Sequence, residues 1–168
     1  MQESVNDERL PARGQRHAEA NVAALIAHWR ERGEPVVHVH ADGPGPDEPA
    51  PAVLAQAAPR DDEVVIDHRG ANTFIGTDLM QVLEDTGQHE IVVVGAVVQG
   101  AVESTVRMAH AMGFMCFVPE DAVIAREVAS RDGRRWSAEE AHAMTLAVID
   151  GAFGQVVTSG ALTQKGGH

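Results

Sequence analysis

Residues Ile91–Ala109, IVVVGAVVQGAVESTVRMA, decide the fold. Four consecutive β-branched residues stop at Gly95, which predicts a strand buried on both faces of a parallel sheet rather than a half-solvated one with alternating polarity. The chain then passes through a glycine turn directly into a helix that continues over Thr105–Met112. In open α/β folds this junction lies beyond the carboxyl end of a strand, where ligands bind. At the step where a nucleophile is expected, the residue is Ala101.

Working outward, strand and helix signals alternate. Gln15–Arg32 carries apolar residues at Val22, Leu25, Ile26 and Trp29, the spacing of a core-facing helical stripe, and Gly33 ends it. Glu34–Ala41 and Asp62–Asp67 read as strands. The intervening Asp42–Pro59 is rich in Pro, Gly, Ala and acid, and reads as a long surface loop with one helical turn at most. Thr77–Asp85 reads as a helix closed by Gly87, and Phe114–Val118 as a further strand. Pro119–Arg135 is a polar connection expected to contain some helix. Ser137–Glu140, SAEE, is a capping box that opens a helix through Ile149, and Gln155–Thr158 is the last strand. The order predicts one doubly wound, mostly parallel α/β sheet with helices on both faces, in a single domain over residues 1–168.

Composition narrows the function classes. The chain has 25 acidic and 13 basic residues, a formal charge of −12, and a single lysine, Lys165. Phosphate backbones are bound by clustered Lys and Arg, so a nucleic-acid partner is not expected. No apolar run approaches membrane-spanning length, and no basic stretch followed by an apolar one opens the chain. The expectation is a cytoplasmic protein with no membrane partner. Cys116 is the only cysteine and sits within FMCFV, the setting of a small buried hydrophobe rather than a reactive thiol.

VVVGAVVQGAVESTVRMAHAMGF followed by VPEDAV resembles the isochorismatase-like, or cysteine hydrolase, superfamily. NTFIGTDL at 72–79 is similar to that family's S-A-F-x-G-T-D-L segment, EPVVHVHADG to its second strand, and FGQVVTSGAL to its closing strand and turn. The resemblance covers nearly the whole chain in order. It implies a homo-oligomer; a small-molecule ligand and no cofactor are expected for this chain. The family's hydrolases use an Asp at the end of the first strand, a Lys, and a Cys at the start of the helix after the strand-turn. In a hydrolase of that kind a thiolate attacks a carbonyl while the Asp exchanges its proton. Matching this chain to the pattern puts Ala101 at the Cys position and His68 at the Lys position. The opening MQES resembles the family's residues just after the first-strand Asp, so that strand and Asp are expected before Met1.

Three functional readings are open. The first is a catalytically impaired family member that keeps a small-molecule pocket, with His68 and Ala101 at the former catalytic positions and Phe74, Val97, Val98, Gln99, Gly100 and Val102 around the ligand. The second is an active amide, ester or vinyl-ether hydrolase whose Asp lies ahead of Met1 or whose Cys was replaced by engineering. The third is a structural or interaction subunit. Gln99 stands where the family often has a His, and Val97–Val98 where it has a non-proline cis peptide. The amides of Gly100, Ala101 and Val102 are expected to form an oxyanion or carbonyl-oxygen site at the helix start. His38 and His40 share one face of a strand and present two ring nitrogens, but no third ligand is evident, so no metal is expected.

Overall fold

The structure, a computed structural model, describes residues 1–42 and 50–164. Residues 43–49, in the middle of the expected surface loop, lie outside the described residues, as does Lys165.

The elements alternate as the patterning predicts. Helix α1 (Ala18–Arg32) ends at Gly33, whose φ of 68° is the left-handed conformation that a residue without a Cβ adopts at least cost. Strands β1 (Val37–Ala41) and β2 (Val64–His68) form a parallel pair in which Ala41 lies opposite His68. Helix α2 (Leu79–Thr86) leads to β3 (Glu90–Val92) and the two-residue β4 (Gly95–Ala96). Helix α3 (Glu103–Ala111) comes next, preceded by a π-type turn at Val98–Val102. Strand β5 (Met115–Pro119) pairs in parallel with β3 on one side and β9 (Gln155–Val157) on the other. Helix α4 (Ala138–Ile149) opens on the expected capping box: Ser137 Oγ accepts from the Glu140 amide at 3.1 Å, and Glu140 Oε2 accepts from the Ser137 amide at 2.8 Å. A short helix α5 (Ser159–Thr163) closes the described chain.

The Pro119–Arg135 connection holds no helix. It contains β6 (Val123–Ile124), parallel to β4, and an antiparallel ribbon of β7 (Val128–Ala129) and β8 (Arg135–Trp136). Its long-range tie is Arg126, whose guanidinium donates to the carbonyls of Pro11, Ser4 and Val5 at 2.6, 2.8 and 2.9 Å. The segment is therefore held extended by the amino-terminal residues.

Helices cover both faces. On one, Val102 just ahead of α3, Val106 and Ala109 of α3 and Leu146 and Ile149 of α4 pack with Phe114, Cys116 and Val118. On the other, Val22 and Leu25 of α1 pack with Ala122, Val94 and Leu162. None of these helices is long and apolar enough to cross a membrane. The ladder is nonetheless interrupted. Among the described residues β1 pairs only with β2, and β3 only with β5, so the parallel strands form two blocks. Ile91–Val94 are accordingly half-buried rather than sealed on both faces, because one edge of β3 borders a cavity.

Candidate functional site

Within each parallel block the strands run the same way, so the carboxyl ends of that block lie together. Beside them opens a cavity of about 770 Å³. Its wall at the strand ends includes His68, Gly70, Thr73, Phe74, Ala101 and Val102. Four sequence-predicted residues, His68, Phe74, Ala101 and Val102, thus meet there.

The segment leading into α2 is pinned to the start of α3. Asn72 Oδ1 accepts from the Phe74 amide at 3.0 Å, a local turn that Asn supports well, while its Nδ2 donates to the Ser104 carbonyl at 2.9 Å. Thr73 Oγ1 and Thr105 Oγ1 share a hydrogen bond of 2.9 Å, both residues buried. These bonds hold the Phe74 ring, 7% exposed, against the cavity. Thr73 and Gly70 were not anticipated as lining residues; the Asn-Thr-Phe turn was the available signal.

His68 is the last residue of β2 and is buried, with no hydrogen-bond partner for Nδ1. Burial pushes its pKa below the ordinary imidazole value, and the nearby Asp42 carboxylate opposes this only in part. The ring is therefore neutral at pH 7, unlike the lysine ammonium of the resembled pattern. On the opposite face, His40 is also held low, first by burial and then by the Met1 amino group, and its Nε2 is likewise without a partner. His38 Nε2 lies 2.8 Å from Glu63 Oε2, and the His38 and His40 ring centroids are 6.4 Å apart. His38 is thus committed to a carboxylate that also binds Arg30. Among the described residues, no group of three or more His, Cys, Asp or Glu side chains converges as a metal site would require.

The turn before α3 differs from expectation in three respects. The cis peptide bond is Ala96–Val97, one residue earlier than Val97–Val98. The amides of Gly100 and Val102 donate to the Val97 carbonyl at 3.1 and 3.3 Å, so they do not form a free three-amide cradle with Ala101. Gln99 turns away: its Nε2 donates to the Arg126 carbonyl at 2.7 Å. Val97, Val98, Gln99 and Gly100 are not on the cavity wall, and Val98 is fully buried in the core. The turn is kinked at Gly100, which takes the non-helical angles φ −138° and ψ −108°, and the carbonyl that holds Gln99 lies between β6 and β7.

The thiol offers no substitute nucleophile. Cys116 is 1% exposed in the core, and burial pushes its pKa up to about 11. A thiol so placed stays protonated and unreachable.

This strand-turn-helix junction, with Phe74 and His68 beside it, sits in a chain that matches the isochorismatase domain over residues 1–160. The chain belongs to the isochorismatase family. An isochorismatase-family protein from Chromobacterium violaceum has a solved structure 37% identical in sequence, with a TM-score of 0.91, covering 97% of this chain and 88% of that one. The uncharacterized isochorismatase family protein YddQ of Bacillus subtilis is 31% identical over 84% of this chain and 82% of its own length. The secreted isochorismatase effector Isc1 of Verticillium dahliae is 28% identical over 83% of this chain and 74% of its own. This family member therefore has an isochorismatase-like hydrolase fold with alanine at the turn.

Proposed function

We propose that this isochorismatase-family protein binds a small, largely apolar molecule at the strand ends and catalyses its hydrolysis weakly or not at all. The observation that carries this reading is the Ala101 methyl group on the cavity wall, at the position matched to the nucleophilic cysteine. A methyl group forms no bond to a carbonyl carbon, and the one thiol of the chain is sealed in the core. The cavity size lies within the range of roughly 300–1,000 Å³ common to small-molecule sites. Phe74 supplies an apolar face, and neutral His68 has an unsatisfied ring nitrogen with which to hydrogen-bond one polar ligand group.

A second reading is favoured by the position of Met1 and Gln2, which line the same cavity. A residue joined ahead of Met1 would enter it, and an acidic one there would restore acid–base chemistry for an amide, ester or vinyl ether.

The deciding experiment incubates the chain, Ala101→Cys and His68→Ala with a panel of small amides, esters and isochorismate. Ligand-induced thermal shifts and product formation are followed in parallel. The binding reading expects thermal shifts with the unaltered chain, their loss in His68→Ala, and no product from the unaltered chain. Turnover by the unaltered chain overturns it in favour of the hydrolase.

A further inference from the structure

We infer that the β7–β8 ribbon and the outer face of α4 form one interface, in which the ribbon of each copy of this chain lies on the α4 of a second copy. The inference rests on exposed side chains away from the cavity and is independent of the function proposed there.

Helix α4 is apolar on both sides. Leu146 and Ile149 face the core. From Ala141 to Ile149 the helix carries no Asp, Glu, Lys or Arg, and Ala143, Met144, Ala147 and Val148 on its other side are exposed. Met144 is 68% exposed and Val148 38%. A helix at the surface of a lone domain presents charged or polar side chains outward, whereas one that is apolar all round is a covered helix. Small Ala143 and Ala147 beside large Met144 and Val148 give this face notches and knobs against which another element can pack closely.

The ribbon carries the opposite charge from the rest of the chain. Val128 and Ala129 are successive residues of one strand and point to opposite faces, and both are exposed, so the ribbon is uncovered on two sides. Residues 126–136 hold four of the 13 basic residues and only two of the 25 acidic ones. Arg126 is turned inward to the amino-terminal carbonyls. Arg131, Arg134 and Arg135 remain exposed, on a chain whose formal charge is −12. Arg134 stacks on Trp136, 4.7 Å from the ring centroid, and Arg135 pairs with Glu127. Arg131 has no ion-pair partner among the described residues, and neither does Glu139 in the first turn of α4.

A second copy satisfies both patches together. The ribbon lays Val128 or Ala129 on the uncharged face of the partner helix, while Arg131 meets the partner's Glu139, positive against negative. Within one copy the ribbon does not cover that face, since both are exposed. Ribbon and helix are joined through Ser137 alone, so one two-fold axis between copies makes the same contact twice. Reciprocity supplies area. Stable dimers bury roughly 800 Å² per partner, and the 12 residues of α4 offer a single face roughly 18 Å long, too little without the ribbon. An unrelated acidic partner would account for the arginines but not for an α4 surface without charge.

Sedimentation velocity of the full chain over a range of concentrations tests this. The expected mass is about twice 17.9 kDa. Arg131→Glu and Glu139→Lys should each weaken the dimer roughly tenfold or more, because like charges then face each other, and the two changes combined should restore it. Met144→Glu should give monomers with the parent's circular dichroism spectrum. A monomer mass at every concentration overturns the second copy and leaves the face to a different partner. A dimer that neither Arg131→Glu nor Met144→Glu weakens overturns this interface, as does failure of the combined charge swap to recover what each single change loses.

Discussion

The Arg30 guanidinium grips the Glu63 carboxylate in a fork, Nε to Oε1 and Nη2 to Oε2, each at 2.7 Å. Arg30 lies near the end of α1, and Glu63 just before β2, so the pair clips a helix of one layer to the edge of the sheet. The same carboxylate takes the His38 ring and the Arg60 amide, each at 2.8 Å. Bidentate geometry with both side chains largely covered, 16% and 10% exposed, sets it apart from ordinary surface pairs.

Glu63 therefore predicts an acid-sensitive clip. Arg30 above all holds the carboxyl down to about 2, against an ordinary value of 4.5. A carboxylate whose folded pKa is depressed contributes stability that is complete above the unfolded value and is lost as pH falls through the folded one. Its contribution should fade between about pH 4.5 and pH 2. Glu63→Gln should cost about 1–3 kcal/mol at pH 7, since hydrogen bonds to charged groups are lost and His38 keeps a weaker partner. Urea midpoints at pH 7 and pH 3 check this, and the difference between variant and parent should shrink at the lower pH.

His40 and His68 should produce a second acid limb at higher pH. Both are held below the ordinary 6.5, mainly by burial. The unfolded chain then takes up protons that the folded chain refuses, so stability is complete above about pH 6.5 and declines as pH falls below it. His40→Gln with His68→Gln should flatten the urea midpoint between pH 7.5 and pH 5.5 relative to the parent. A parent curve already flat over that range would refute the assignment.

The features legible in the sequence were those carried by strong local rules. The capping box of α4 and the glycine stops at Gly33 and Gly87 lie where patterning puts them, whereas Ile91–Val94 are only half-buried. The β7–β8 ribbon escaped because its strands are two residues long, too short to show a period, and because Arg126 ties it to residues more than a hundred positions away. His68, Phe74 and Ala101 reached the cavity because strand ends and the helix start put them there. Gln99 did not, since its amide is held by the Arg126 carbonyl, a long-range partner that residue spacing does not encode.

Cys116 should behave as a core residue and nothing more. At 1% exposure and with its pKa pushed up to about 11, it presents almost no thiolate at pH 8. A thiol-reactive disulfide reagent should label it only as fast as the chain unfolds, with full labelling in 6 M guanidinium. Cys116→Ala should leave any binding or turnover unchanged while costing about 1 kcal/mol for the lost buried volume. Rapid labelling of the folded chain would show that the β5 core opens to solvent.

Two glycines near the carboxyl terminus should respond oppositely to the same methyl group. At Gly154 an added Cβ would stand 2.7 Å from the Cys116 carbonyl oxygen and 3.2 Å from its Cβ. The first of these is backbone of β5, so the strain must be taken up where β9 enters the sheet. Gly154→Ala should therefore destabilise by about 1–3 kcal/mol through overpacking. At Gly160, inside α5, the nearest atom is Thr158 Oγ1 at 3.9 Å, an ordinary contact. Gly160→Ala adds helix propensity and narrows the unfolded ensemble, for a gain of about 0.4–1 kcal/mol. Thermal midpoints of the two variants should thus fall on opposite sides of the parent. A Gly154→Ala midpoint equal to the parent's would mean that β9 can shift away from β5 at no cost, which the close approach at Cys116 argues against.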